Sequence, residues 1–164
     1  MSGDPAARPL RSPDPVVVPF VFDSGMKLDT YVNYRGTCEE AFRFYEQHLG
    51  GKITGLQRHA DAPNPNIPSD WKTKVLHAQI EIGGAVLMGA DIPNAEPMRS
   101  AYLSLSLDSV AEAERIYALL TDGGQIFMKM EETPFAKRFA MLRDKFGTSW
   151  MLLQQAHAPA ERES

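Results

Sequence analysis

The sequence has a single cysteine, Cys38, in 164 residues. An internal disulfide is therefore excluded, as is a zinc site built on paired cysteines, and the expected location is the cytoplasm. Basic residues are also scarce, with 17 Lys and Arg against 21 Asp and Glu, which argues against a nucleic-acid partner. No apolar run approaches the roughly 20 residues that a membrane span requires, so we expect no membrane partner.

The two ends of the chain differ in composition from the middle. Residues 1–25 hold Pro5, Pro9, Pro13, Pro15 and Pro19, and prolines at this density disfavour helix. We predict an extended or disordered leader over residues 1–25 and a polar tail over residues 156–164.

Between these ends the chain repeats itself. The stretch EEAFRFYEQHLGGKI, Glu39 to Ile53, is echoed by AEAERIYALLTDGGQI, Ala111 to Ile126. In each copy apolar residues recur at steps of three and four, which predicts an amphipathic helix, and a Gly-Gly pair ends it. Thr37 and Ser109 each stand three residues before a glutamate, a pattern typical of a helix N-cap.

Each helix follows one predicted strand and precedes three more. The predicted unit is therefore βαβββ, used twice, with module one over residues 26–92 and module two over residues 98–155. A unit with one helix cannot cover both faces of its sheet, so the two copies are expected to pair. The predicted fold class is α+β, with two mixed sheets curled around a cleft.

Alternation along the strands indicates which face of each sheet is buried. In YLSLSL, Leu103 and Leu105 point to one face while Tyr102 and Ser104 point to the other. In VLHAQIEI, the side chains of His77, Gln79 and Glu81 share the polar face. We expect the apolar faces to pack under the helices and the polar faces to line the cleft.

Three blocks carry a family resemblance: YVNYRGTCEEAFRFYEQHLGGKIT, WKTKVLHAQIEIGGAVLMGAD and FAKRFAMLRDKFGTSWMLL. In this order the chain resembles the vicinal oxygen chelate superfamily, in its PhnB-like branch of the glyoxalase/bleomycin resistance/dioxygenase group. The resemblance implies two βαβββ modules around a cleft and commonly a homodimer. It does not imply one activity, because members include metal-dependent isomerases, dioxygenases, transferases and metal-free binding proteins.

The resemblance also implies where a metal would be bound. Metal-using relatives place His, Glu or Gln on the first and last strand of each module, and these positions correspond here to Thr30, Met88, Tyr102 and Met151. Neutral hydroxyls and thioethers are poor ligands for the divalent ions of this group. We therefore predict no metal and no other cofactor.

Other residues remain candidates for chemistry or binding. His77 lies on the cleft face, where it could act as a general base, or with His59 and Asp61 form a metal or acid/base group. A hydrogen bond within a polar cleft is the plainer interpretation of His77. Trp71 ends the proline-rich connection DAPNPNIPSDW, where it could stack on a ligand or pack at the sheet rim.

Three functions are consistent with these features. The first is a metal-free protein that binds a small organic molecule through a cleft lined by Thr30, Trp71, His77, Gln79, Met88, Tyr102, Ser104 and Met151. The second is a glyoxalase-like lyase or isomerase that uses His77 or a non-standard metal site. The third is a dimeric interaction protein whose cleft is filled by side chains or by the leader. A homodimer is expected in each case.

Overall fold

The computed structural model describes residues 25–155, so the leader up to residue 24 and the tail from residue 156 lie outside the described residues. Ten helices and strands follow one another in this part of the chain: β1 (Thr30–Tyr34), α1 (Cys38–His48), β2 (Lys52–Arg58), β3 (Val75–Ile82), β4 (Ala85–Asp91), β5 (Leu103–Ser106), α2 (Val110–Thr121), β6 (Gln125–Thr133), β7 (Ala136–Arg143) and β8 (Ser149–Gln155). Single 3-10 turns occupy His59–Asp61 and Ser69–Trp71.

The strands form two four-stranded sheets with matching topology. Sheet A has the order β1-β4-β3-β2, and sheet B has the order β5-β8-β7-β6. In each sheet the first strand of the module runs parallel to the last, and the other pairs are antiparallel. The predicted α+β fold of two βαβββ modules with mixed sheets is confirmed.

The two helix starts are held differently, although their sequences look alike. The Ser109 side chain accepts a hydrogen bond from the Glu112 amide at 3.1 Å, as predicted for α2. Thr37 makes no side-chain bond of this kind at α1. Instead the Cys38 amide donates to the Asp91 carboxylate at 2.9 Å. The cap of α1 therefore comes from the end of β4, which sequence spacing could not indicate.

Both helices pack on one side of the sheets. Helix α1 contacts β2, β3 and β4, and α2 contacts β6, β7 and β8. Arg115 of α2 donates to the His48 carbonyl at 3.0 Å, so the two helices meet end to side. One apolar core runs through both modules, with the Tyr45 ring 5.2 Å from the Trp150 ring. None of the helices described is long and apolar enough to cross a membrane.

The face of each sheet turned away from its helix is here called its open face. In β5 the two leucines, Leu103 and Leu105, pack toward the core while Ser104 and Ser106 are exposed, as the alternation predicts. In β3, Ala78 and Ile80 are fully buried under α1. The open faces of the two sheets therefore carry the residues available for binding.

Candidate functional site

The open face of sheet A is set by the register of β1, β4 and β3. Tyr31 pairs with Met88, and Met88 pairs with Gln79, so these three side chains form one row on the same face. Thr30 pairs instead with Leu87, which is buried under α1. Thr30 and Met88 therefore lie on opposite faces of sheet A, and the β1 residue that shares a face with Met88 is Tyr31.

His77 stands beside this row and meets Tyr31. The Tyr31 hydroxyl lies 3.4 Å from His77 Nδ1, and the two ring centroids are 5.8 Å apart. Partial burial, with a smaller contribution from Cys38, raises the pKa of Tyr31. The phenol therefore keeps its proton at neutral pH, and it can donate that proton to the imidazole. Tyr31 was not identified from the sequence.

Two adjacent rows of aligned side chains on the open face of sheet B bear on the site. One row runs across β6, β7, β8 and β5 as Met128, Met141, Met151 and Ser104. The next row holds Gln125, Arg143 and Ser149, and Tyr102 continues it just before β5. The first row, here called the methionine row, thus lies beside a polar row that contains one cation. Thioether side chains adapt to varied ligand shapes.

Tyr102 is held at the end of the polar row by aromatic contact and by the shape of the preceding chain. Its ring meets Phe127 edge to face, with the centroids 6.3 Å apart. Two residues earlier, Ser100 has a φ of 53°, in the left-handed region that residues other than glycine rarely adopt. This turn redirects the chain between the modules and sets Tyr102 against sheet B.

A cavity of about 250 Å³ lies at the seam between the modules. It is mostly apolar, and three of its polar groups come from Thr30, Tyr102 and Ser104. The full lining is Thr30, Ile82, Ala85, Val86, Leu87, Tyr102, Leu103, Ser104, Leu105 and Trp150. Apolar walls with a few convergent polar groups are typical of small-molecule sites, although this seam cavity is slightly smaller than the usual range of roughly 300–1,000 Å³.

The predicted site residues do not all meet at one point. Thr30, Tyr102 and Ser104 line the seam cavity, whereas His77, Gln79 and Met88 lie on the open face of sheet A. Met151 lies on the open face of sheet B, next to Ser104. Trp71 is separate from these groups, because its ring packs beside Gly36 in the loop before α1. The structure therefore favours the rim-packing interpretation of Trp71.

The donors at the family's metal positions do not fit a divalent ion. With Tyr31 rather than Thr30 aligned with Met88, the four side chains at these positions are two phenols and two thioethers. Within residues 25–155, no group of three His, Cys, Asp or Glu side chains comes together. His59 cannot join His77, because it is buried with Nε2 2.9 Å from the Asp91 carbonyl. The Asp61 carboxylate accepts from the Arg58 amide at 2.8 Å.

Cys38 is equally unsuited to chemistry. It is fully buried at the start of α1, and burial, followed by the charge of Asp91, raises the pKa of its thiol well above the usual range. The nucleophilic thiolate is therefore not formed at neutral pH.

Comparison with known proteins agrees with the fold described above. The family model of the Glyoxalase/Bleomycin resistance protein/Dioxygenase superfamily matches residues 27–152. The chain belongs to this superfamily. It is also 31% identical to Protein YjdN of Escherichia coli (strain K12) over 139 residues, which is 77% of this chain and 94% of that protein.

Two solved structures extend the comparison. Protein PA1353 from Pseudomonas aeruginosa is 37% identical with a TM-score of 0.71, over 79% of this chain and 98% of the other. The PhnB protein from Bacillus cereus is 26% identical with a TM-score of 0.68, over 79% and 99%. The resemblance to the PhnB-like branch is thus confirmed.

Arg143 is the residue of the site that sequence reasoning missed most clearly. It is absent from the predicted site residues, yet it is half-buried with its guanidinium 5.2 Å from the centre of the Phe127 ring. Strand alternation could have indicated this position, because Phe139, Met141 and Arg143 fall on one face of a strand.

Proposed function

We propose that this protein binds a small organic molecule at the seam between its modules, without the metal used by many members of its superfamily. The observation that carries the proposal is the seam cavity, in which apolar walls from both modules surround the polar groups of Thr30, Tyr102 and Ser104. The open face of sheet B continues this site, because Tyr102 borders both.

The chemistry of the lining supports a molecule with an apolar body and a few polar groups. The ring of Tyr102 offers a stacking surface with a hydroxyl at its tip, and the exposed Ser104 hydroxyl can donate or accept. The methionines of sheet B would adjust to the part of the molecule that extends beyond the cavity.

Two serines of β5 provide a matched test. Ser104 and Ser106 are both exposed on the same face of the strand, but of the two only Ser104 lines the seam cavity. A library of small aromatic and aliphatic fragments would be screened by ligand-observed NMR against the full-length protein. Fragments that bind the wild type should lose binding to Ser104→Leu, which fills the cavity, and keep it with Ser106→Leu. Equal binding to both variants would refute the site.

A second candidate function is acid/base catalysis by His77. The observation in its favour is the 3.4 Å approach of the Tyr31 hydroxyl, which could hold the imidazole in one tautomer and leave Nε2 free to remove a proton. His77→Ala should then abolish turnover of a bound carbonyl compound while Glu81→Ala, altered on the same face of β3 but roughly 13 Å away, retains it. If both variants bind the compound normally and no turnover occurs in the wild type, the protein acts by binding alone.

We also propose that the protein is a cytoplasmic homodimer. Several large apolar side chains on or beside the open faces are at least two-fifths exposed, namely Tyr31, Phe127, Met128 and Phe135. Covering such residues with a second copy would remove apolar area from water. Light scattering should give a mass near twice 18.2 kDa, and a mass of one chain at micromolar concentration would refute the dimer.

A further inference from the structure

Within residues 25–155, Arg143 is a cation without a counter-ion. It lies half-buried on the open face of sheet B, between Gln125 and Ser149. Each ion pair within residues 25–155 involves another cation, and no carboxylate lies within 4.0 Å of its guanidinium. Arginines that lose part of their hydration are usually paired, so this one has unused capacity for an anion.

The hydrogen bonds that Arg143 does make leave most of its donors available. Nε and Nη2 both donate to the Met98 carbonyl, at 3.1 and 2.6 Å. A guanidinium has five N–H groups, so three remain unused. Phe127 lies 5.2 Å from the guanidinium carbon and, with Met98, restricts its movement. A fixed guanidinium loses less conformational entropy when it pairs with an oxyanion.

Neighbouring carboxylates do not neutralise this charge. Asp144 follows directly in the chain, but its carboxylate is buried on the opposite side, where the Tyr45 hydroxyl and the Trp150 ring N–H bond it. Glu131 pairs with Phe139, four residues along β7 from Arg143, which is roughly 13 Å away.

From this arrangement we propose that the site takes an organic anion, whose carboxylate or phosphoryl group pairs with Arg143 while its apolar body lies along Tyr102 and the methionine row. The proposal rests on the proposed binding function and specifies its ligand class. Arg143 and Met141 are two residues apart on β7, which is about 7 Å along the strand. A ligand whose charged group and apolar body are separated by this distance would contact both side chains at once.

Four probes separate charge, head group and apolar body. Benzoate and phenylphosphonate carry both parts, benzamide is a neutral counterpart of benzoate, and inorganic phosphate lacks the apolar body. Dissociation constants would be measured with the full-length protein by ligand-observed NMR at low ionic strength, because salt screens such pairs. Both organic anions should bind at least about tenfold more tightly than benzamide, as loss of a charge-assisted pair implies. Phenylphosphonate should also bind more tightly than inorganic phosphate.

Variants at three positions assign the charge to Arg143. Arg143→Gln should weaken the organic anions about tenfold and leave benzamide unchanged. Arg138→Gln removes a cation from the same strand, where it pairs with Glu114 of α2, and should leave anion binding unchanged. Ser149→Ala removes another bond to the Met98 carbonyl, of 3.1 Å, without altering charge, and it should leave anion binding unchanged because the Ser149 side chain is buried away from the ligand. If Arg143→Gln does not fold, Arg143→Lys decides, because it keeps the charge and should weaken benzoate more than phenylphosphonate.

The contrary outcomes have separate meanings. Equal affinity for benzamide and benzoate, or unchanged anion binding in the folded Arg143 variant, overturns the anion proposal and leaves the binding function standing. A loss in Ser149→Ala as large as that in Arg143→Gln also overturns it, because Arg143 would then act only by holding the linker at Met98. If inorganic phosphate binds as tightly as phenylphosphonate, the apolar part of the proposal is wrong. Failure of every probe and fragment to bind overturns both proposals.

Discussion

The Tyr45 hydroxyl donates a 2.5 Å hydrogen bond to the Asp144 carboxylate, joining α1 of module one to the β7–β8 turn of module two. The carboxylate also accepts from the Trp150 ring N–H at 2.9 Å and from the amides of Phe146 and Thr148. Burial raises the pKa of Asp144, and these hydrogen bonds oppose the rise. A buried carboxylate with four donors fixes the relative position of the modules, and with it the seam cavity.

Removing the Tyr45 hydroxyl should therefore weaken the whole fold. Tyr45→Phe leaves the buried Asp144 without one of its four donors, and the loss of such a bond costs about 1–3 kcal/mol. We expect a lower midpoint of urea unfolding with an unchanged slope. Tyr117→Phe is the matched control, because this half-buried tyrosine on α2 belongs to the same core but makes no hydroxyl bond of its own within residues 25–155. Equal midpoints for the two variants would show that the bond contributes nothing.

Alkaline pH should lower the stability of the fold, because two buried tyrosines lie at the same contact between the modules. Burial is the main cause that raises the pKa of Tyr34 and Tyr45 above the usual tyrosine value, with their hydroxyls 3.0 and 2.9 Å from Thr148 Oγ1. Tyrosines in the unfolded chain ionise near pH 10, while the folded protein retains these protons. The unfolded state thus binds fewer protons above that pH, so stability is complete below about pH 10 and falls as the pH rises further.

The measurement is the urea midpoint as a function of pH. Below about pH 10 the two tyrosines should contribute a constant amount to the wild-type midpoint, and above it this contribution should be lost. The midpoint of Tyr45→Phe should fall less steeply with pH, because only one of the two tyrosines remains to ionise. A wild-type midpoint that stays level well beyond pH 10 would contradict the assignment.

The helix starts differ in a way that mutation can test. Ser109→Ala should destabilise the protein by about 1 kcal/mol, because it removes the bond that the Glu112 amide makes to the serine side chain. Thr37→Ala should cost clearly less, since the α1 start is held by Asp91 rather than by the threonine. The free energies of unfolding of the two alanine variants, compared in urea, check this. A larger loss for Thr37→Ala would mean that the threonine caps α1 in solution.

Much of the architecture could be predicted because it depends on local patterns. The internal repeat indicated two modules, and alternation assigned the faces of β3 and β5. Position along distant strands could not be obtained in this way. Thr30 was matched to Met88 across almost 60 residues, and a shift of one residue in that pairing moves the side chain to the opposite face. The contact of Asp91 with Cys38 depends on the same long-range register.

Metal content is the remaining test, because it decides whether this protein differs from the metal-using members of its superfamily. The side chains at the family's metal positions are Tyr31, Met88, Tyr102 and Met151, once the register of β1 is taken into account. Phenols and thioethers hold nickel, zinc or manganese poorly at neutral pH. We expect elemental analysis of untagged protein, dialysed against these ions, to find well under one ion per chain. One firmly held ion per chain that disappears in His77→Ala would instead make His77 a ligand, and would revive a metal-dependent reaction on the open face of sheet A.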